Sequence, residues 1–113
     1  KAKQAEAKTN LTSYHSLQAA YIAENGVKSL DFSELNCQGS LTPSPQFCIT
    51  LTGRYNYHID MIAGSLWSFT AFAKNNDLIV KSCGNRDAWS ITDNRAVTNI
   101  YNCITRSGLP IPF

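Results

Sequence analysis

Apolar residues recur at helical spacing through the first twenty-five positions of the chain. Ala7, Leu11, Tyr14, Leu17, Gln18 and Tyr21 fall at intervals of three and four on one side of a helical wheel. This predicts a helix over residues 1–25 with that stripe facing a core. The opposite side carries Ala2, Ala5, Thr9, Thr12, Ser16, Ala19 and Ala23, also at intervals of three and four, and every one is small. A merely solvated face usually carries long polar side chains, whereas small ones let a second helix approach closely. Alanine is also the best helix former on any exposed face, which is the plainer account of the same residues. Asn25-Gly26 ends the pattern, since glycine takes the left-handed position after a helix without a Cβ clash. Helical pattern runs from the first residues with no N-cap ahead of them, so the expectation is that a helix continues upstream of Lys1.

Beyond the helix the period changes. Residues 26–52 read as a connector, with one helical turn near Asp31 to Leu35 and an irregular stretch marked by Gly39, Pro43 and Pro45. Strand signals then begin. Tyr55, Tyr57, Ile59 and Met61 alternate with Arg54, Asn56, His58 and Asp60, the signature of a half-buried strand. Gly64-Ser65 makes a turn, and Leu66 to Ala73 returns with Trp67, Phe69, Ala71 and Ala73 on one face. Asn75-Asn76-Asp77 marks a second turn and Leu78 to Val80 a short edge. Asp87 to Thr92 and Arg95 to Tyr101 read as a last hairpin around Thr92-Asp93-Asn94-Arg95, and the tail from Gly108 to Phe113 as extended. The predicted class is α+β: one long helix against an antiparallel sheet of about four strands, with residues 53–113 as sheet and C-terminal region.

Composition narrows the class. A chain of 113 residues makes one domain, 1–113, and its 43% hydrophobic and 16% charged content belongs to a folded protein. The net charge of +2 sits in the first ten residues, where Lys1, Lys3 and Lys8 face only Glu6. Basic residues there suit either a membrane-adjacent helix or an ordinary solvated one. The longest nearly apolar stretch, Met61 to Trp67, is too short to span a bilayer.

The four cysteines form no metal-ligand spacing, so an even count in a small domain points to two disulfides and an oxidising compartment. Three pairings exist. Cys83 and Cys103 are symmetric about Asp93 and meet if the last hairpin folds, which leaves Cys37 with Cys48 to pin the connector.

Catalytic motifs are wanting. His15 and His58 stand at no recognisable spacing from a nucleophile, and both are expected to be surface residues. No phosphate-binding or nucleophile-elbow motif occurs. The expectation is a non-enzyme without cofactor. Asn75-Asn76-Asp77 reads as turn chemistry before it reads as calcium ligands. Lys81, Arg86, Arg95 and Arg106 make a weak basic patch near Trp89 and Tyr101, a candidate for DNA or another anionic partner. Asn10-Leu11-Thr12 spells a glycosylation sequon in mid-helix, where it is expected to be chance.

The opening segment KAKQAEAKTNL, with AAYIAENG at the helix end, resembles the stretch of a type IV pilin directly after its hydrophobic N-terminal helix. Phe69-Thr70-Ala71-Phe72-Ala73 is similar to that family's F-T-A-x-A strand, and Asp87-Ala88-Trp89-Ser90-Ile91-Thr92-Asp93 to its D-x-W-x-I-D hairpin, followed by Asn99. The resemblance covers residues 1–26 well and 53–102 moderately, and is absent over 27–50. It implies a pilin-like roll held to the inner membrane by an apolar helix before assembly, then packed with other pilin subunits in an extracellular helical filament on a bacterial surface. The small helix face would then line the filament, and adhesion, motility or DNA uptake would be its use. A pseudopilin of a type II secretion system, often calcium-bound, and a DNA-binding minor pilin are the alternatives. Pilins often carry one C-terminal disulfide, so a Cys37–Cys48 bridge departs from the pattern.

Overall fold

A computed structural model describes residues 2–42, 44–51, 53–60, 66–74, 87–102 and 107–108. Helix α1 (Ala2–Asn25) opens the chain, and a 3-10 turn (Phe32–Glu34) follows it. Strands β1 (Gly39–Ser40), β2 (Phe47–Thr50), β3 (Tyr55–Asp60), β4 (Ser68–Ala73), β5 (Ala88–Thr92), β6 (Val97–Asn102) and β7 (Ser107–Gly108) complete it. Each strand pairs antiparallel with the next, so the sheet order is the sequence order. Strands β2 to β7 make a six-stranded sheet, and β1 adds a two-residue flank to β2.

The α+β class therefore holds, with α1 packed on an antiparallel sheet, but the sheet has more than the four strands the pattern predicts. The extra ones are short. Strands β1 and β2 form inside the connector, where Phe47 and Cys48 pair with His58 and Tyr57 of β3. Ser107 and Gly108 of β7 pair with Asn102 and Tyr101. A two- to four-residue strand shows no period of its own, because alternation needs more positions than it has. Gly39 is required by the close approach of β1 to β2: a Cβ there would lie 2.1 Å from the Ile49 carbonyl oxygen. The Gly64-Ser65 turn, the Asn75-Asn76-Asp77 turn, the Leu78–Val80 edge and residues 109–113 lie outside the described residues.

The core forms between α1 and one face of the sheet. Ala7, Leu11 and Gln18 are fully buried from the helix, as are Tyr57, Ile59, Phe69 and Ala71 from β3 and β4. Tyr14 stands at the centre. Its ring packs on Phe32 and Tyr57 at centroid distances of 5.2 Å and on Phe69 at 5.8 Å. The predicted stripe needs one correction: Leu17 is 38% exposed. It sits at one margin of the stripe, about 100° from its middle at 100° per residue, and the buried side extends instead to His15 and Ile22 on the opposite margin.

The 3-10 turn begins as its sequence dictates. Asp31 caps it by accepting from the Ser33 amide at 2.8 Å. Those hydrogen bonds from Ser33 hold the Asp31 carboxyl below its ordinary pKa. Phe32 then enters the core, and its amide donates to the Pro45 carbonyl at 2.9 Å. The Cys37–Cys48 bridge closes beside this point, and the buried Tyr14 hydroxyl lies 3.6 Å from Cys48 Sγ. A bridged sulfur has no proton, so Tyr14 is the donor.

Candidate functional site

Helix α1 is the element on which the predicted site stands, and polar side chains fix how it sits. Glu6 Oε2 accepts from the Arg54 amide at 2.7 Å, and Asn10 Nδ2 donates to the Tyr57 hydroxyl at 2.8 Å. His15 Nε2 donates to the Asp93 carbonyl at 3.1 Å. Gln18 trades two bonds with the Ser29 backbone, and Tyr21 donates to Glu34 Oε2 at 2.9 Å. These contacts recur at nearly every turn of the helix, so its rotation about its own axis is set by directional bonds as well as by apolar packing.

That rotation decides what faces outward. Ala5, Thr9, Thr12, Ser16, Ala19 and Ala23 are all exposed. Thr12 returns its hydroxyl to the Lys8 carbonyl at 2.9 Å, which keeps its profile low. Ala2 lies on α1, with its side chain outside the described ones. The result is an outward strip, from Ala5 to Ala23, on which no side chain is larger than threonine.

One flank of the helix meets the β5–β6 hairpin. Lys8 Nζ lies 4.5 Å from the centre of the Trp89 ring. Arg95 donates to Ser16 Oγ at 3.3 Å from the hairpin turn, where its own backbone is left-handed at φ 69°. Arg95 is the one member of the predicted basic patch among the described residues; Lys81, Arg86 and Arg106 lie outside them. Lys8 was not assigned to that patch, and its position beside Trp89 depends on a pairing between helix and sheet that no local pattern encodes.

The histidines depart from expectation. His15 is buried, not at the surface, with its ring 4.8 Å from that of Trp67 and its Nδ1 without a hydrogen-bond partner. His58 is half-buried on the sheet face away from α1, where it packs on Phe47 and pairs with Asp60 at 3.1 Å. Asp60 also accepts from Ser68 at 2.5 Å and from Thr70 at 2.9 Å. The cluster holds a histidine, a carboxylate and a serine, but Ser68 donates to the carboxylate rather than to the imidazole. A nucleophile needs its base on its own oxygen, so the contacts here join β3 to β4 and do not activate Ser68.

Two further carboxylate and phenol sites are structural. Asp87 is fully buried and accepts from Tyr55 at 2.5 Å and from Trp89 Nε1 at 3.1 Å, which fixes the start of β5. Burial pushes the Tyr57 hydroxyl well above its ordinary pKa, against the opposing effect of the Asn10 bond. Asn10, the first residue of the sequon, donates its side-chain amide to that hydroxyl. Among the described residues no cluster of three metal-ligating side chains occurs, and no helix is long and apolar enough to cross a membrane. The Asn75-Asn76-Asp77 candidate and the Cys83–Cys103 pairing lie outside the described residues; Cys37–Cys48 is bridged as the elimination suggested. No family model matches the chain, and no curated protein or solved structure matches it either.

Proposed function

We propose that this domain is a non-enzymatic subunit of an extracellular filament of the type IV pilin kind, with the outward strip of α1 as its packing surface. What supports the reading is the exposure of Ala5, Thr9, Thr12, Ser16, Ala19 and Ala23 together, on a helix whose other side is spent on its own core. The resemblance of residues 1–26 to the post-anchor segment of pilins points the same way. Small side chains let neighbouring helices approach until their backbones are in van der Waals contact. Function in this reading is assembly: copies stack through the helix strip, and the sheet and connector form the outside of the filament.

The test is filament formation by the full-length protein in its own cell. Thr12→Trp and Ala19→Trp place bulk on the strip, while Leu17→Trp places it on the margin as a control. Filaments sheared from the surface and imaged by electron microscopy are expected to vanish in the first two and to persist in the third. Circular dichroism of each purified variant separates loss of assembly from loss of folding. Abundant filaments from folded Thr12→Trp and Ala19→Trp protein overturn the reading. The gene upstream of the codon for Lys1 offers an independent check, since the reading requires an apolar helix there in frame.

A further inference from the structure

We draw no further inference here: the strongest candidate, the surface patch between α1 and the β5–β6 hairpin where Lys8, Ser16, Trp89 and Arg95 meet, carries nothing because its two cations are already engaged by Trp89 and Ser16 and nothing in the structure shows what covers it.

Discussion

Gln18 and Ser29 exchange two hydrogen bonds, each of 2.9 Å: Gln18 Nε2 donates to the Ser29 carbonyl, and the Ser29 amide donates to Gln18 Oε1. Both residues are buried, Gln18 completely. The side-chain amide thereby serves the connector backbone as a neighbouring strand would. Gln18→Leu keeps the volume and removes both partners, leaving a buried N–H and C=O unsatisfied. The expected loss is about 2–4 kcal/mol by urea unfolding. Gln18→Glu keeps the acceptor for the Ser29 amide but sets a fully buried carboxyl oxygen against the Ser29 carbonyl, and is expected to cost at least as much. A Gln18→Leu variant within about 0.5 kcal/mol of the parent would show that the connector backbone pairs elsewhere.

Leu11 and Leu17 lie less than two turns apart on α1 but belong to different environments. Leu11 is fully buried, and Leu17 is 38% exposed. Leu11→Ala is expected to cost about 2–5 kcal/mol, as cavity-forming truncations do. Leu17→Ala is expected to cost under about 1 kcal/mol, because little packed surface is removed. Equal losses for the two would mean that the helix sits in a different rotation from the one described.

These two cases show what a sequence carries and what it withholds. The helix was legible because Ala7, Leu11, Tyr14 and Gln18 follow one period, and its end because Gly26 takes φ 76° beyond Asn25. Strands β3 and β4 were legible within two residues, as was the hairpin turn, where the Arg95 amide donates to the Thr92 carbonyl at 2.9 Å. Gln18 on an apolar stripe was itself a signal: a polar residue there must have a buried partner. Its partner was not legible, because Ser29 is reached only once the chain turns back after Gly26. The burial of His15 likewise depends on Trp67, just before β4, and Asp93, in the turn after β5, both distant in sequence. Strand β2 escaped because two prolines and a bridge make its surroundings read as irregular.

Cys37 and Cys48 lie eleven positions apart, and their bridge ties the segment after the 3-10 turn to β2. Closing a loop of that length restricts the unfolded chain by about 3 kcal/mol. Replacing both residues with alanine is expected to lower stability by about 2–4 kcal/mol, read as a fall in Tm on a calorimetric scan. Alanine is the fitting substitute, since Cys48 is fully buried and serine would add a hydroxyl there. A Tm unchanged in the double variant, with a reduced parent control, would remove the bridge from the account of stability.

Arg95 holds a backbone conformation that a Cβ makes costly. At φ 69° the residue that fits best is glycine, and a β-branched residue fits worst. The expected order of stability is Arg95→Gly, then the parent, then Arg95→Val, with about 1–2 kcal/mol between the two variants. The exposed bond to Ser16 is too weak to reverse this order. Chemical denaturation of the three proteins decides it, and a valine variant as stable as the glycine variant contradicts the turn.

Alkaline pH has a definite sign. Burial holds the Tyr14 and Tyr57 hydroxyls above their ordinary value of 10.0, so the folded state keeps protons that the unfolded chain releases. Their contribution to stability is present in full below that value and is lost as pH rises above it. The urea midpoint is expected to be level up to about pH 9 and to fall steeply by about pH 11, with phenolate absorbance from these residues appearing only on unfolding. In Tyr57→Phe the fall is expected to be shallower. A midpoint that stays level to about pH 11 would place both phenols in contact with solvent.

The contacts from Glu6 to Arg54, Asn10 to Tyr57, His15 to Asp93, Gln18 to Ser29 and Tyr21 to Glu34 have a mechanical meaning as well as a structural one. They attach α1 to the body at five heights along its length. Tension applied along the helix axis loads all of them together, in shear, while the apolar stripe resists sliding between them. Tension applied across the axis at one end loads them one after another. The domain is therefore built to be strong when pulled lengthwise and to peel when pulled sideways.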